Sequence, residues 1–186
     1  LFAVATILLN CNFAIAQKEE MKEDVQWRLH EINKESIYSS CAVTDVNKDG
    51  LPDIVSGGIW YEAPDWERHF VRDVEVIGGR PDGYSHLEID VNEDGWTDLV
   101  HVNFRSSSIY WLQHPGPDLG QWPKHMVAEP GRMETGRLYD IDQDGQQDVL
   151  PNGWELAAWY TFSPHGNPDS LHVWSQCDRN PEGASQ

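Results

Sequence analysis

Positive charge is what this chain has least of. Its 186 residues carry 13 Lys and Arg against 31 Asp and Glu, a formal net charge of −18. Nucleic acids and anionic membrane surfaces are gripped by clusters of Lys and Arg. No such cluster occurs in the sequence, so neither is expected as a partner. Long apolar runs are missing too. The stretch Leu1-Phe-Ala-Val-Ala-Thr-Ile-Leu-Leu9 is too short to span a bilayer, and no membrane insertion is expected once it is cleaved away. Cysteine is scarce: Cys11, Cys41 and Cys177 define no disulfide framework. Cys41 and Cys177 can form one bridge in an oxidising compartment, or Cys41 can be a buried thiol in its apolar strand. Helical periodicity is absent from the repeat region. No nucleophile elbow, phosphate loop, CxxC pair or HExxH motif is present.

The apolar start has a purpose of its own. Ala14-Ile15-Ala16 before Gln17 fits the small-residue pattern of a signal-peptidase site. Residues 1–16 therefore read as an N-terminally incomplete secretory signal, with a short linker over 17–24. A lipoprotein signal through Leu8-Leu9-Asn10-Cys11 fits less well, because Asn10 stands where a small residue is wanted. The expected location is secreted, periplasmic or at the cell surface.

Carboxylates are abundant, and they are patterned. Three loops share one form: Asp45-Val-Asn47-Lys-Asp49-Gly50-Leu-Pro-Asp53, Asp90-Val-Asn92-Glu-Asp94-Gly95-Trp-Thr-Asp98 and Asp140-Ile-Asp142-Gln-Asp144-Gly145-Gln-Gln-Asp148. All fit DxNxDGxxD, with Asp replacing Asn in the third. Oxygen-bearing side chains at positions 1, 3, 5 and 9, with glycine at 6 for the sharp turn, suit a hard cation such as calcium. Metal-free turns, in which Asp and Asn bond their own backbone, are the alternative. Crowded, unpaired carboxylates would repel one another, which favours the cation.

Each loop sits in the same frame. A strand-like stretch precedes it: Ser40–Thr44, Ser85–Ile89 and Thr135–Tyr139. A β-rich run follows, carrying Trp60-Tyr61, Tyr110-Trp111 or Trp159-Tyr160 in its second strand, and then a Pro/Gly-rich turn. Trp27-Arg-Leu-His30, Trp66-Glu-Arg-His69 and Trp122-Pro-Lys-His125 spell a WxxH signature for a closing strand. Since the first copy precedes the first loop, it reads as the fourth strand of an earlier blade, or as one that completes a blade across the chain ends. Loops that start 45 and then 50 residues apart, with four short strands per unit, predict an all-β fold. The predicted architecture is a β-propeller of four-stranded blades, partial here with about three to four. Repeats are placed over 25–170, with an irregular or truncated tail over 171–186.

These residues resemble the FG-GAP/VCBS repeat family of integrin-type propellers and secreted bacterial proteins. The resemblance rests on DxNxDGxxD running directly into Ile54-Val55, Leu99-Val100 and Val149-Leu150. It implies about three structural calcium ions, one per loop. On the family pattern the ligands are Asp45, Asn47, Asp49, the Leu51 carbonyl and Asp53; Asp90, Asn92, Asp94, the Trp96 carbonyl and Asp98; and Asp140, Asp142, Asp144, the Gln146 carbonyl and Asp148. An EF-hand is excluded, because position 12 holds Ser56, His101 or Pro151 instead of a bidentate Glu, and the flanks are not helical.

A zinc site built from His30, His69 and His125 is disfavoured, because closing strands of successive blades fan apart. Packing between blades is the expected role of the WxxH pairs and of Trp60, Trp111 and Trp159. His86, Glu88 and Arg137 are the polar candidates at a central channel, and His86 with Glu88 would be a usable acid/base pair. Trp96 and Trp154 are candidates for stacking on sugar rings. The expected function is an exported calcium-binding propeller that acts as a binding or scaffold module for a glycan or an extracellular protein. The alternative is a propeller enzyme of the carbohydrate lyase or dehydratase kind, a fold-level analogy only.

Overall fold

The computed structural model describes residues 26–153 and 158–162, and the backbone of 175–177. The signal and linker assigned to residues 1–24, and Trp154, lie outside the described residues. The chain divides into two units, Leu1–Ile32 and Asn33–Gln186. Residues 26–32, the described part of the first, form no strand, and Trp27 and Leu29 are exposed. Trp27-Arg-Leu-His30 therefore does not form the expected blade-closing strand, and among the described residues no strand bonds it.

The second unit is built from three four-stranded antiparallel meanders. Blade 1 is β1 (Cys41–Thr44), β2 (Asp53–Ser56), β3 (Ile59–Glu62) and β4 (Glu67–Phe70), in that spatial order. A small exposed hairpin, β5 (Val76–Ile77) and β6 (Arg80–Pro81), leads into blade 2. Blade 2 comprises β7 (Ser85–Ile89), β8 (Asp98–Val102), β9 (Ile109–Leu112) and β10 (Lys124–Ala128). Blade 3 comprises β11 (Met133–Tyr139), β12 (Asp148–Gly153), β13 (Trp159–Thr161) and β14 (Ser175–Cys177). In every blade the acidic loop joins the first and second strands. The fold is all-β and has the form of a partial β-propeller, as the repeat spacing predicts. β7 packs against both β1 and β11, so the strand before each acidic loop is the innermost one.

Blade 2 shows why its sequence does not alternate between apolar and polar. Its β8 and β9 are buried along their whole length, because each face meets a different neighbour. Leu99, Tyr110, Leu112 and Trp122 join Ala42, Val46, Val55, Trp60 and Val71 in one core between blades 1 and 2. Val100, Val102, Ile109 and Trp111 join Met133, Val149 and Tyr160 in a second core between blades 2 and 3. The period of two is intact, but both phases are apolar. Full burial of one such side chain contributes about 1.5–3 kcal/mol.

Two of the three WxxH histidines, His69 and His125, pack as repeat elements. His69 stacks on Trp60 at 4.3 Å and His125 on Trp111 at 4.6 Å. Each ring is tethered at Nε2, His69 to Glu62 at 2.7 Å and His125 to Gln113 at 3.0 Å. His69 and His125 sit in separate sheets.

Two expectations change. Cys41 is an exposed free thiol on β1, not a buried or bridged one. Its neighbour Ala42 takes the inward phase of the strand. The stretch 171–186, assigned to an irregular tail, contributes β14, which pairs with β13 through Trp159↔Cys177 and closes the third sheet.

Candidate metal centres

The three loops are built by one hydrogen-bond plan. At position 1, a single carboxylate accepts two backbone N–H groups. Asp45 takes those of Asp49 (3.0 Å) and Gly50 (2.9 Å), and Asp90 those of Asp94 (3.1 Å) and Gly95 (2.8 Å). Asp140 takes those of Asp144 and Gly145, both at 3.1 Å. At position 3, Asn47, Asn92 and Asp142 each accept the N–H of position 5. At position 5, Asp49, Asp94 and Asp144 accept the N–H of Leu51, Trp96 and Gln146, each at 2.8 Å. These bonds hold the side-chain oxygens around the glycine, which is left-handed in all three loops, with φ of 88, 86 and 95°. Position 4 is left-handed as well, at Lys48, Glu93 and Gln143. No glycine or asparagine there announced it in the sequence.

Position 9 does more than its sequence role suggests. Asp53, Asp98 and Asp148 begin the second strand and are almost wholly buried. Their Oδ2 atoms accept the N–H of Val46, Val91 and Ile141 at 3.0, 3.0 and 2.8 Å. Oδ1 of Asp53 accepts from Ala63 N at 2.8 Å, and Oδ1 of Asp98 from His114 N at 2.7 Å. This carboxylate therefore ties the acidic loop to the turn that follows the third strand.

The donor set fits a hard cation. Asp140, Asp142 and Asp148 each offer an oxygen within 4.8 Å of the others. With Ca–O distances of 2.3–2.6 Å, oxygens on opposite sides of one ion lie about 4.6–5.2 Å apart. A carboxylate oxygen that accepts one N–H keeps a second lone pair for a metal. Negative charge is crowded at position 9. Burial, reinforced by Asp94 and Asp90, pushes the Asp98 carboxyl up to about 7 against the pull of the His114 and Val91 amides. Burial also raises that of Asp148. These acidic clusters could hold a metal ion. Glu62, Glu67 and His69 form another group of metal-capable side chains, with His69 already bonded to Glu62.

Loops 1 and 2 are linked by a residue the sequence reading passed over. His114 Nε2 donates to Val46 O at 2.9 Å, while its Nδ1 accepts from Gly116 N at 2.9 Å. The Nδ1 acceptor role fixes the proton on Nε2. Its signal was present: His114-Pro115 occupies the turn position that Ala63-Pro64 holds in blade 1. The Trp96 ring stacks on His114 at 4.6 Å, and the Lys48 ammonium lies 3.8 Å over it. Trp96 thus joins the two loops, and its ring is not a free platform for a sugar.

The proposed acid/base pair is not assembled. His86 is buried, with Nε2 at 2.8 Å from Ser40 Oγ, and burial brings its imidazole down to about 3. That makes it too weak a base for chemistry near neutrality. Glu88 is exposed and accepts Val43 N–H at 3.0 Å. Arg137 donates to Gly136 O and Thr135 Oγ1. Ser85 Oγ, which accepts Gly136 N–H at 3.0 Å, ties blade 2 to blade 3. The inner strands are stitched together by these groups, with no shared catalytic partner among them.

Fold and loops define a class: a β-propeller-like module with a repeated acidic loop between the first two strands of each blade. Residues 90–150, from the start of the second loop to just past the third, match the family model for FG-GAP-like repeats. The resemblance read from the loops is therefore shown over that stretch. No curated protein matches the chain.

Proposed function

We propose that the protein is an exported, calcium-stabilised propeller module that binds a glycan or an extracellular protein. The observation that carries this reading is the common hydrogen-bond plan of the three loops, together with the Asp140, Asp142 and Asp148 oxygens that lie within 4.8 Å of one another in the third. Asp45, Asn47, Asp49 and Asp53, with their counterparts in the other loops, would hold the ion, and the carbonyls of Leu51, Trp96 and Gln146 would complete the shell. Calcium would cancel the carboxylate repulsion felt at Asp98 and fix the turn between strands. Its role is structural, and the ligand-binding work falls to the polypeptide. An extracellular or periplasmic location supplies the calcium that weak, repeated sites need.

Native mass spectrometry with calcium should show three bound ions per chain, and EDTA should lower the melting temperature reversibly. A ligand at a hundred times its dissociation constant stabilises by about 2.7 kcal/mol per site. A chain that binds no ions and melts identically in EDTA and calcium would remove this reading.

A further inference from the structure

Blades 1 and 2 meet at a cleft that the acidic loops do not use. Val71 N donates to Gly58 O at 2.9 Å, and Trp122 N of blade 2 donates to Val71 O at 3.0 Å. A Cβ on Gly58 would strike the Arg72 carbonyl, so glycine is what lets the chain turn here. The resulting cleft has a volume of about 550 Å³, and Arg72, Asp73, Glu75, Gln121, Trp122 and Lys124 are among its lining residues.

In a chain with so few cations, two converge on this cleft. Arg72 is only 6% exposed. Its Nε donates to Asp73 O at 2.6 Å and its Nη2 to Glu75 Oε2 at 2.7 Å, while Nη1 is buried without a hydrogen-bond partner. Lys124 Nζ donates to Glu75 Oε1 at 2.7 Å and stands 4.2 Å over the Tyr110 ring. The Arg72 guanidinium lies 5.1 Å from the same ring. Arg72 is held in place by burial, and Lys124 stands over Tyr110. The carboxylate between them is more open: the Glu75 side chain is 47% exposed, next to the exposed Val76 and Ile77. Each of its oxygens meets a different cation, the grip a free carboxylate would receive.

We propose that this cleft is a subsite for a carboxylate-bearing sugar, a uronate unit, whose carboxylate replaces that of Glu75 between Arg72 and Lys124. The inference rests on the glycan-binding reading and narrows it. A cleft of this volume lies in the range of small-ligand sites. Gln121, Asp73 and the displaced Glu75 offer hydrogen-bonding groups to sugar hydroxyls. The same two carboxylates, and the net charge of −18, repel a densely acidic peptide. One isolated carboxylate on a neutral, hydroxyl-rich body suits the site best.

The test uses the calcium-loaded full chain and calorimetry with methyl glucuronide, methyl glucoside and an acidic tetrapeptide. A single sugar unit avoids calcium bridging by a polyuronate. Glucuronide should bind at least about tenfold more tightly than glucoside, the worth of one charge-assisted hydrogen bond. Lys124→Gln should lose about that factor, and Glu75→Gln should gain severalfold because the internal competitor is gone. Both changes fall at the cleft's charged rim, and their opposite signs cannot come from a general loss of folding. Equal binding of the two sugars, tighter binding of the peptide, or weaker binding in Glu75→Gln would overturn the proposal. Should a glycan array show neutral glycans alone, the uronate subsite falls and the glycan reading stands. A blank array takes both down.

Discussion

Calcium binding at loop 2 should be linked to a proton on Asp98. In the metal-free chain, burial beside Asp94 and Asp90 pushes this carboxyl up to about 7. A cation needs the ionised form, so protons compete with it below that value. For a group titrating near 7, lowering the pH from 8 to 6 reduces the ionised fraction about tenfold, or about 1.4 kcal/mol of binding free energy. An ordinary aspartate, titrating near 3.9, would change by only about one per cent over the same range. Asp49→Ala and Asp144→Ala together isolate loop 2, because each removes a proposed ligand from one of the other loops. Calorimetry at pH 8 and pH 6 should then show about a tenfold weaker dissociation constant at the lower pH. At pH 7, titration in buffers of different ionisation enthalpy should report about half a proton released per ion. Circular dichroism at each pH checks that the sheets persist. The linkage has a counterpart in stability. With EDTA present, Asp98 holds its proton more tightly folded than unfolded, so its contribution favours folding as the pH drops from about 7 towards 4. Calcium should abolish that trend. A dissociation constant that changes less than threefold between pH 8 and 6, with no proton released, would refute the account of Asp98.

Two further outcomes separate the roles of the loop positions and of the buried histidines. Asp53→Ala leaves the amides of Val46 and Ala63 unpaired and should cost about 2–6 kcal/mol even in EDTA, whereas Asp49→Ala, at an exposed position, should cost far less in EDTA and lose one ion by mass spectrometry. Burial holds the His101 imidazole well below its ordinary value, so the unfolded chain takes the proton first and stability falls as the pH drops below about 6.5; in denaturant titrations His101→Leu should flatten that slope by about 1.4 kcal/mol per pH unit.

The parts of the fold that local chemistry dictates were legible. DxNxDGxxD fixes a turn whether or not its neighbours are known, and Trp60-Tyr61 and Tyr110-Trp111 mark third strands because a two-faced strand needs bulk on both sides. What failed depended on neighbours that the sequence does not display. His86 and Glu88 share a strand, but Ser40 of blade 1 captures His86, while Glu88 bonds the Val43 amide and stays in solvent. Trp96 looked like an exposed ring in a loop until Lys48 and His114, 48 and 18 residues away in the chain, packed on it. Trp27-Arg-Leu-His30 matches the closing-strand signature as well as the other two copies do, yet a strand is a property of two segments and among the described residues no partner pairs with it.

Position in the stack decides how far the loss of one loop should spread. Blade 2 contributes Leu99 and Leu112 to the core it shares with blade 1, and Val100 and Trp111 to the core it shares with blade 3. Asp98 opens β8, the strand that carries both Leu99 and Val100, and holds the turn after β9 through His114. His114 in turn holds Val46, whose own amide is bound by Asp53 of loop 1. Releasing loop 2 therefore loosens two cores and one neighbouring loop together. Asp148 opens β12 and holds Ile141 of its own loop, and Val149 serves one core. The three loops share one pattern and one hydrogen-bond plan, yet the second is the one whose release would reach both cores.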